Sequence, residues 1–435
     1  MKLLSLALLA AANSVVAQNS TFLDGLMSTL EHAGCTSLTQ LASSLNSTSQ
    51  GQYLLKTISN GDPYVLFAPN DTAVSNAPSN LTSNPADLLS YHVVHGNFSG
   101  QSTTYPNTTV GRTFLNDTTY VSLEGNKSQV VAWATRSDGN VHVLNQRSVT
   151  LLNSFTHADP HPSNSIRRSD SSSMVTNVTS YGNVTIYVVS SVLEWPDNFS
   201  GALSADTPYL DGLGATISNV TQIFYNGTDG STSNETVARI IDGGFKGFTL
   251  FAPNTSAIEA LGGGITQYEQ NATLLQIILA NHIINGTSVY SPELVGQDYT
   301  SAAGEQFSFS INSTGQYVKM GSVTARIIQP DVLLSNGVAH IIDQVLLNTE
   351  EDTSAASSAA ASATSMAAQS TTETRPIGYS QTASLASGGA SGSSASGSSS
   401  SSSAALAVGG LSANQIVGLG FTAVALIVGA FVVIA

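Results

Sequence analysis

The chain reads as short apolar runs punctuated by Ser, Thr, Asn and Gly, and three of those runs occur twice. YVLFAPNDTAV at Tyr64–Val74 and TLFAPNTSAI at Thr249–Ile258 each predict an apolar strand, a Phe-Ala-Pro-Asn stop and the opening of a helix. Proline brings no N–H to a strand ladder, and Asn70 or Asn254 is placed to cap the helix that follows. LLSYHVVHG at Leu88–Gly96 parallels ILANHIING at Ile278–Gly286, each a helix-like run carrying a histidine, His92 or His282. NVTIYVVSSVL at Asn183–Leu193 matches NGVAHIIDQVL at Asn336–Leu346, both alternating β-branched strands. Asn70 to Asn183 spans 113 positions and Asn254 to Asn336 spans 82. The longer copy accommodates an irregular loop at Thr156–Ser173, which holds a His-Ala-Asp-Pro-His run and the pair Arg167-Arg168. Ahead of the first strand, Phe22–Leu45 reads as a helix around the lone Cys35.

The two ends follow a different pattern. Lys2 and the apolar Leu3–Ala12 run, then Val15-Val16-Ala17, have the form of a signal peptide that leaves Gln18 first. Ten or so apolar residues are too short for a hydrocarbon core of about 30 Å. From Thr353 to Ala405, 44 of 53 positions are Ser, Thr, Ala or Gly, and only Glu373 and Arg375 are charged. Such a stretch offers little apolar area against its conformational entropy, so 351–405 is expected to be a disordered, O-glycosylated stalk. Ile416–Ala435 is 20 residues without a charge, preceded by small residues and a polar spacer. That is the form of a glycosylphosphatidylinositol (GPI) attachment signal over 406–435, with attachment at Ser402 or Ser403. A transmembrane anchor is the alternative. The expected address is the outer face of the plasma membrane or the wall.

Composition narrows the chemistry. With 28 acidic and 13 basic side chains the net charge is −15, which opposes binding to a nucleic-acid backbone. One cysteine excludes a disulfide framework and a thiolate metal site, and Cys35 reads as buried filler. Eighteen Asn-x-Ser/Thr sequons, at Asn19, Asn46, Asn70, Asn80, Asn97, Asn107, Asn116, Asn126, Asn177, Asn183, Asn198, Asn219, Asn226, Asn234, Asn254, Asn271, Asn285 and Asn312, predict a heavily N-glycosylated exterior. His92-x-x-His95 is the best metal candidate, since residues three apart share a helix face. No HExxH or third ligand accompanies it, so no metal or other cofactor is expected and His92 reads as a hydrogen-bonded core histidine. His340, between Ala339 and Ile341, is expected to satisfy buried polar groups near His282. There is no Gly-x-Ser-x-Gly elbow and no phosphate loop; Gly262-Gly263-Gly264 lacks the following Lys. Asp211, Asp242, Glu259 and Glu269 show no spacing that selects a glycosidase pair.

The three repeated blocks resemble the fasciclin-like (FAS1) domain family, in the tandem, lipid-anchored form common in fungi. The FAPN block is similar to that family's first signature segment, Tyr91-His92 to its central Tyr-His motif, and NGVAHIIDQVL to its second signature segment. The first copy departs at Val184, Tyr187 and Ser190, and the second has Asn281 where the family has Tyr. The resemblance implies an α+β fold with two tandem domains at 18–197 and 198–350, each a twisted β-wedge with a helical layer. It implies a non-enzymatic surface protein mediating adhesion or wall and matrix interaction, with surface glycans, proteins or further copies of itself as partners. The alternatives are a structural wall component without a receptor and an enzyme acting on wall polysaccharide. In animal relatives an Asp-Ile pair before the second signature segment is tied to receptor binding. Gln329-Pro330-Asp331-Val332-Leu333 resembles it, which makes Asp331 and Val332 candidate interaction positions. Tyr91, His92, His282 and His340 are the expected polar core.

Overall fold

The computed structural model describes residues 20–144, 172–204, 213–214, 221–225, 232–262, 271–369 and 373–378. The signal segment, most of the irregular loop, Ser402, Ser403 and the apolar tail lie outside the described residues, as do Asn19, Asn219 and Asn226.

Sixteen strands are described: β1 Tyr64–Pro69, β2 Val93–His95, β3 Thr109–Arg112, β4 Val130–Thr135, β5 Val141–Val143, β6 Ser173–Tyr181, β7 Val184–Val189, β8 Thr221–Tyr225, β9 Thr232–Thr236, β10 Phe248–Pro253, β11 Ile283–Asn285, β12 Tyr299–Thr300, β13 Gln306–Asn312, β14 Gly315–Met320, β15 Val323–Leu334 and β16 Gly337–Ile342. The sequence repeat is a structural one. The first sheet runs β2-β1-β7-β6-β5-β4-β3 and the second β11-β10-β16-β15-β14-β13-β12, the same order shifted by nine. In each, the FAP strand pairs in parallel with the closing strand: Phe67 lies opposite Tyr187, and Phe251 opposite His340. A bridge between Val94 and Thr113 brings the two ends of the first sheet together. The hairpin β8–β9 belongs to the second half alone among the described residues.

The FAP strands are buried at every position, which explains why they read as unbroken apolar runs and not as alternation. Tyr64, Leu66 and Ala68 face a helical layer through Leu30, Leu38 and Leu54. Val65 and Phe67 point the other way, against Tyr91 and Trp133. The second half repeats this: Leu250 and Ala252 enter one core and Phe251 the other. The caps form as the sequence suggests, with Asn70 Oδ1 accepting from the Ala73 N–H at 2.8 Å and Asn254 Oδ1 from Ala257 at 2.7 Å.

Two expectations need correction. Phe22–Leu45 is two helices, 20–32 and Thr36–Ser43, because Gly34 takes φ +80° and the Cys35 N–H turns back to the Leu30 carbonyl at 3.0 Å. The start of the expected disordered stalk is ordered. Thr353–Ala368 is a 16-residue helix, capped by Asp352 Oδ1 on the Ser354 and Ala355 N–H groups at 3.0 and 2.9 Å. Alanine favours helix more than any other residue, Ala356 and Ala363 are buried, and the helix touches both residues 124–126 of the first half and β11 and β12 of the second. The stalk beyond residue 378 lies outside the described residues.

Candidate functional site

The polar core consists of two matching histidine bridges. At the end of the helix Pro85–His92, Nδ1–H of His92 donates to the Leu88 carbonyl at 2.7 Å, and Nε2 accepts from the Leu193 N–H at 2.9 Å. In the second half Nδ1–H of His282 donates to Ile278 at 2.7 Å, and Nε2 accepts from Leu346 at 3.0 Å. Each ring is the neutral tautomer and ties a helix end to the segment leaving the closing strand. Burial lowers the pKa of both to about 4, so neither carries charge at neutral pH. Tyr91 is fully buried beside His92, with the two rings at 89°.

The metal candidate fails on geometry. The helix ends at His92, His95 lies in β2 with its ring 3.8 Å from that of Phe114, and both His92 nitrogens are occupied. Among the described residues no group of three or more His, Cys, Asp or Glu side chains is arranged to hold a metal ion. Cys35 is buried, and burial pushes its thiol up to about 11, away from the reactive thiolate.

His340 answers a different need from the one expected. Its Nε2–H donates to the Val289 carbonyl at 2.9 Å, Nδ1 accepts from the Asp331 N–H at 3.2 Å, and its ring stacks on Phe251. It therefore serves the bulge in β15 and not the His282 bridge. The pairing of β15 with β16 shifts register between Ile327 and Val332, and Asp331 takes φ +55° there. Asp331 is 0% exposed. One carboxylate oxygen accepts from the Ser291 N–H at 2.7 Å and the other from the Ser291 hydroxyl. Burial raises its pKa, opposed by His340 and by the Ser291 bonds.

Asp331 is therefore not a surface contact position. Val332 is half-buried against the second core, and Leu333 packs with Val110, Val130 and Ala132 of the first half. The next residues dock on the first half as well. Gln129 Nε2 donates to the Leu334 carbonyl at 3.0 Å, the Ser122 N–H to Ser335 at 2.7 Å, and the Ser335 N–H to Asp197 at 2.8 Å. The stretch singled out as an interaction site does meet a partner, but that partner is the other half of the same chain.

Sequence reasoning missed the closing asparagines as functional groups of the fold. Asn183 Nδ2 donates to the Ile58 and Asp62 carbonyls, and Asn336 Nδ2 to Ile241 at 2.7 Å and Phe245 at 3.3 Å. Each ties its closing strand to the C-terminal end of the helix that precedes the FAP strand. Their repeat, 153 positions apart, was the available signal. Missed as well was a charged cluster at the junction. Arg112, Glu124 and Lys127 of the first half meet Ser288 and Tyr290 of the second and Glu373 of the former stalk.

Residues 229–348 match the family model of the Fasciclin domain. That range holds the second FAPN block, His282, His340 and the second closing strand. Three relatives are similar over about a quarter of the chain. Protein sll1483 of Synechocystis is 36% identical over 103 residues, covering 23% of this chain and 54% of the relative. A fasciclin-like arabinogalactan protein of Arthroderma benhamiae is 34% identical over 110 residues, covering 25% and 24%. The fasciclin-like arabinogalactan protein elcF of Phaeosphaeria nodorum is 31% identical over 106 residues, covering 24% and 31%. The chain thus spans about half of the first relative and a third or less of the other two. A solved FAS1 domain pair from the insect cell adhesion molecule Fasciclin I aligns with 73% of this chain and 98% of its own, at 13% identity and a TM-score of 0.31.

Proposed function

We propose that this is a non-enzymatic, glycosylated cell-surface protein whose paired Fasciclin-type domains mediate adhesion or wall and matrix interaction. The observation that carries the reading is the Fasciclin match at residues 229–348, on a half whose strand order the first half repeats. Residues 18–197 are read as the first domain of the same kind, which shares the Asn cap, the histidine bridge and the closing asparagine with the second. Sequons supply a hydrophilic exterior that 9% charged residues do not. The signal segment and the apolar tail support secretion and a lipid anchor at Ser402 or Ser403. Among the described residues no helix is long and apolar enough to cross a membrane.

The partner is a surface glycan, a wall protein or a further copy, engaged through many weak contacts multiplied by surface density. With Asp331 buried, contact falls on the outward-facing positions of strands such as β6 and β13 and not on the 329–333 turn. Beads coated with the purified glycoprotein, tested on the parent cells beside beads carrying only a peptide of residues 379–405, examine the reading. Saturable adhesion that survives enzymatic removal of the N-glycans is expected. Adhesion no greater than that of the stalk beads would turn the reading to a structural wall component.

A further inference from the structure

The two domains are not joined by one covalent connection alone. Residues 373–378, which follow the helix Thr353–Ala368, return to the junction and lie along it. The Ile377 N–H donates to the Val110 carbonyl at 3.0 Å, so the segment adds a backbone bond to the β3 edge of the first sheet. The Ile377 side chain is buried in an apolar floor drawn from both halves: Val110, Val130 and Ala132 from the first, Tyr290, Leu333 and Val338 from the second. Glu373 enters a charged pocket formed by Arg112 and Lys127, in which Lys127 also pairs with Glu124 at 3.2 Å. The Glu373 carboxylate accepts from Arg112 Nε at 2.6 Å and stands 3.2 Å from Lys127 Nζ. The Arg112 side chain is 3% exposed, and its remaining reach is fixed by the Ser128 carbonyl at 2.7 Å and the Tyr290 ring at 5.7 Å.

The fit is close at both ends of the segment. A Cβ at Gly96 would come within 3.0 Å of the Thr374 carbonyl, and one at Gly378, which has φ +77°, within 2.6 Å of Pro292. Burial alone would raise the Glu373 pKa, yet Arg112 and Lys127 hold it below the usual carboxylate range. Glu373 is the single carboxylate between Thr353 and Ala405, and it is the one that the junction takes. Arg112 and Lys127 together outnumber Glu124, so the buried guanidinium favours a further anionic group at this place.

We propose that the domain junction is a peptide-binding cleft for an extended acidic–apolar segment, a carboxylate followed four residues later by a branched aliphatic side chain, and that the chain's own residues 373–378 fill it as a detachable strap. The charged pocket of Arg112 and Lys127 reads the carboxylate, the β3 edge reads the backbone, and the shared apolar floor reads Ile377. With the strap seated, the two domains and the helix Thr353–Ala368 form one body. With the strap out, the apolar floor and a buried arginine are uncovered, and the cleft is open to the same sequence from a neighbouring copy. This assignment does not rest on the adhesion reading, and its test involves no adhesion measurement.

The test uses the full chain and hydrogen exchange, with Glu373→Arg, Arg112→Glu and the double charge reversal beside wild type. In wild type the Ile377 amide is expected to exchange at least about tenfold more slowly than in a free peptide of residues 371–380. Each single reversal removes that protection, and the double variant recovers more of it than the singles allow if the two side chains meet directly. The free peptide is then added in trans: it should bind the Glu373→Arg chain saturably and wild type, whose cleft is filled, far less. Unprotected Ile377 in wild type, no recovery in the double variant, or equal binding of the peptide to both chains would overturn the proposal.

Discussion

His92 and His282 make the same two bonds 190 positions apart, and both are held neutral by burial. A histidine whose folded pKa is depressed from 6.5 to about 4 contributes stability that is present above pH 6.5 and lost as pH falls toward 4. At 1.36 kcal/mol per unit, that is on the order of 3 kcal/mol for each ring. Glu293 acts in the opposite sense: burial pushes its carboxyl up to about 7, so its contribution is present in acid and lost as pH rises through 7. The histidine part is isolated by melting wild type and His282→Gln from pH 7 to 4. The variant is expected to start less stable and to lose less on acidification; parallel curves would contradict the bridge. Asp331→Ala belongs to the same scale. It strips the Ser291 N–H and hydroxyl of their acceptor, at about 1–3 kcal/mol for each buried donor left unsatisfied. The expected outcome is a lowered melting temperature, read by calorimetry.

At the scale of elements, the closing asparagines make the clearest prediction. Asn183 lies in a sequon, yet its Nδ2 already donates to the Ile58 and Asp62 carbonyls. A glycan on that nitrogen would displace the tie between β7 and the helix Ser49–Ile58. Glycopeptide mass spectrometry of the secreted protein is therefore expected to find Asn183 bare, while exposed Asn46, Asn80 and Asn97 are available. An occupied Asn183 in folded protein would contradict the geometry. The repeated strands, caps and histidines were legible in sequence because each is local: a run of six apolar residues, an Asn after a Pro, a His at a helix end. The bulge at Asp331 was not, since nothing in Gln-Pro-Asp-Val-Leu says whether its far side meets solvent or another domain. The helix Thr353–Ala368 was hidden by its composition, because Ser and Ala give the same low complexity in a stalk as in a helix with one buried alanine edge.

The whole molecule is two copies of one sheet plan, packed across an apolar and charged junction and strapped by residues from what reads as stalk. That arrangement turns the turn at 329–334 inward and leaves outward-facing positions of β6 and β13 and sequons such as Asn46, Asn80 and Asn97 exposed. The Fasciclin match covers the second copy, and the adhesive reading extends it to the pair. The most direct measurement is detachment of cells under flow, comparing cells that display the full protein with cells that display only its stalk and anchor at equal surface density. The account predicts that the full protein raises the detachment force and that soluble full-length protein competes the gain away. Equal detachment forces, or a gain that soluble protein does not compete, would contradict it.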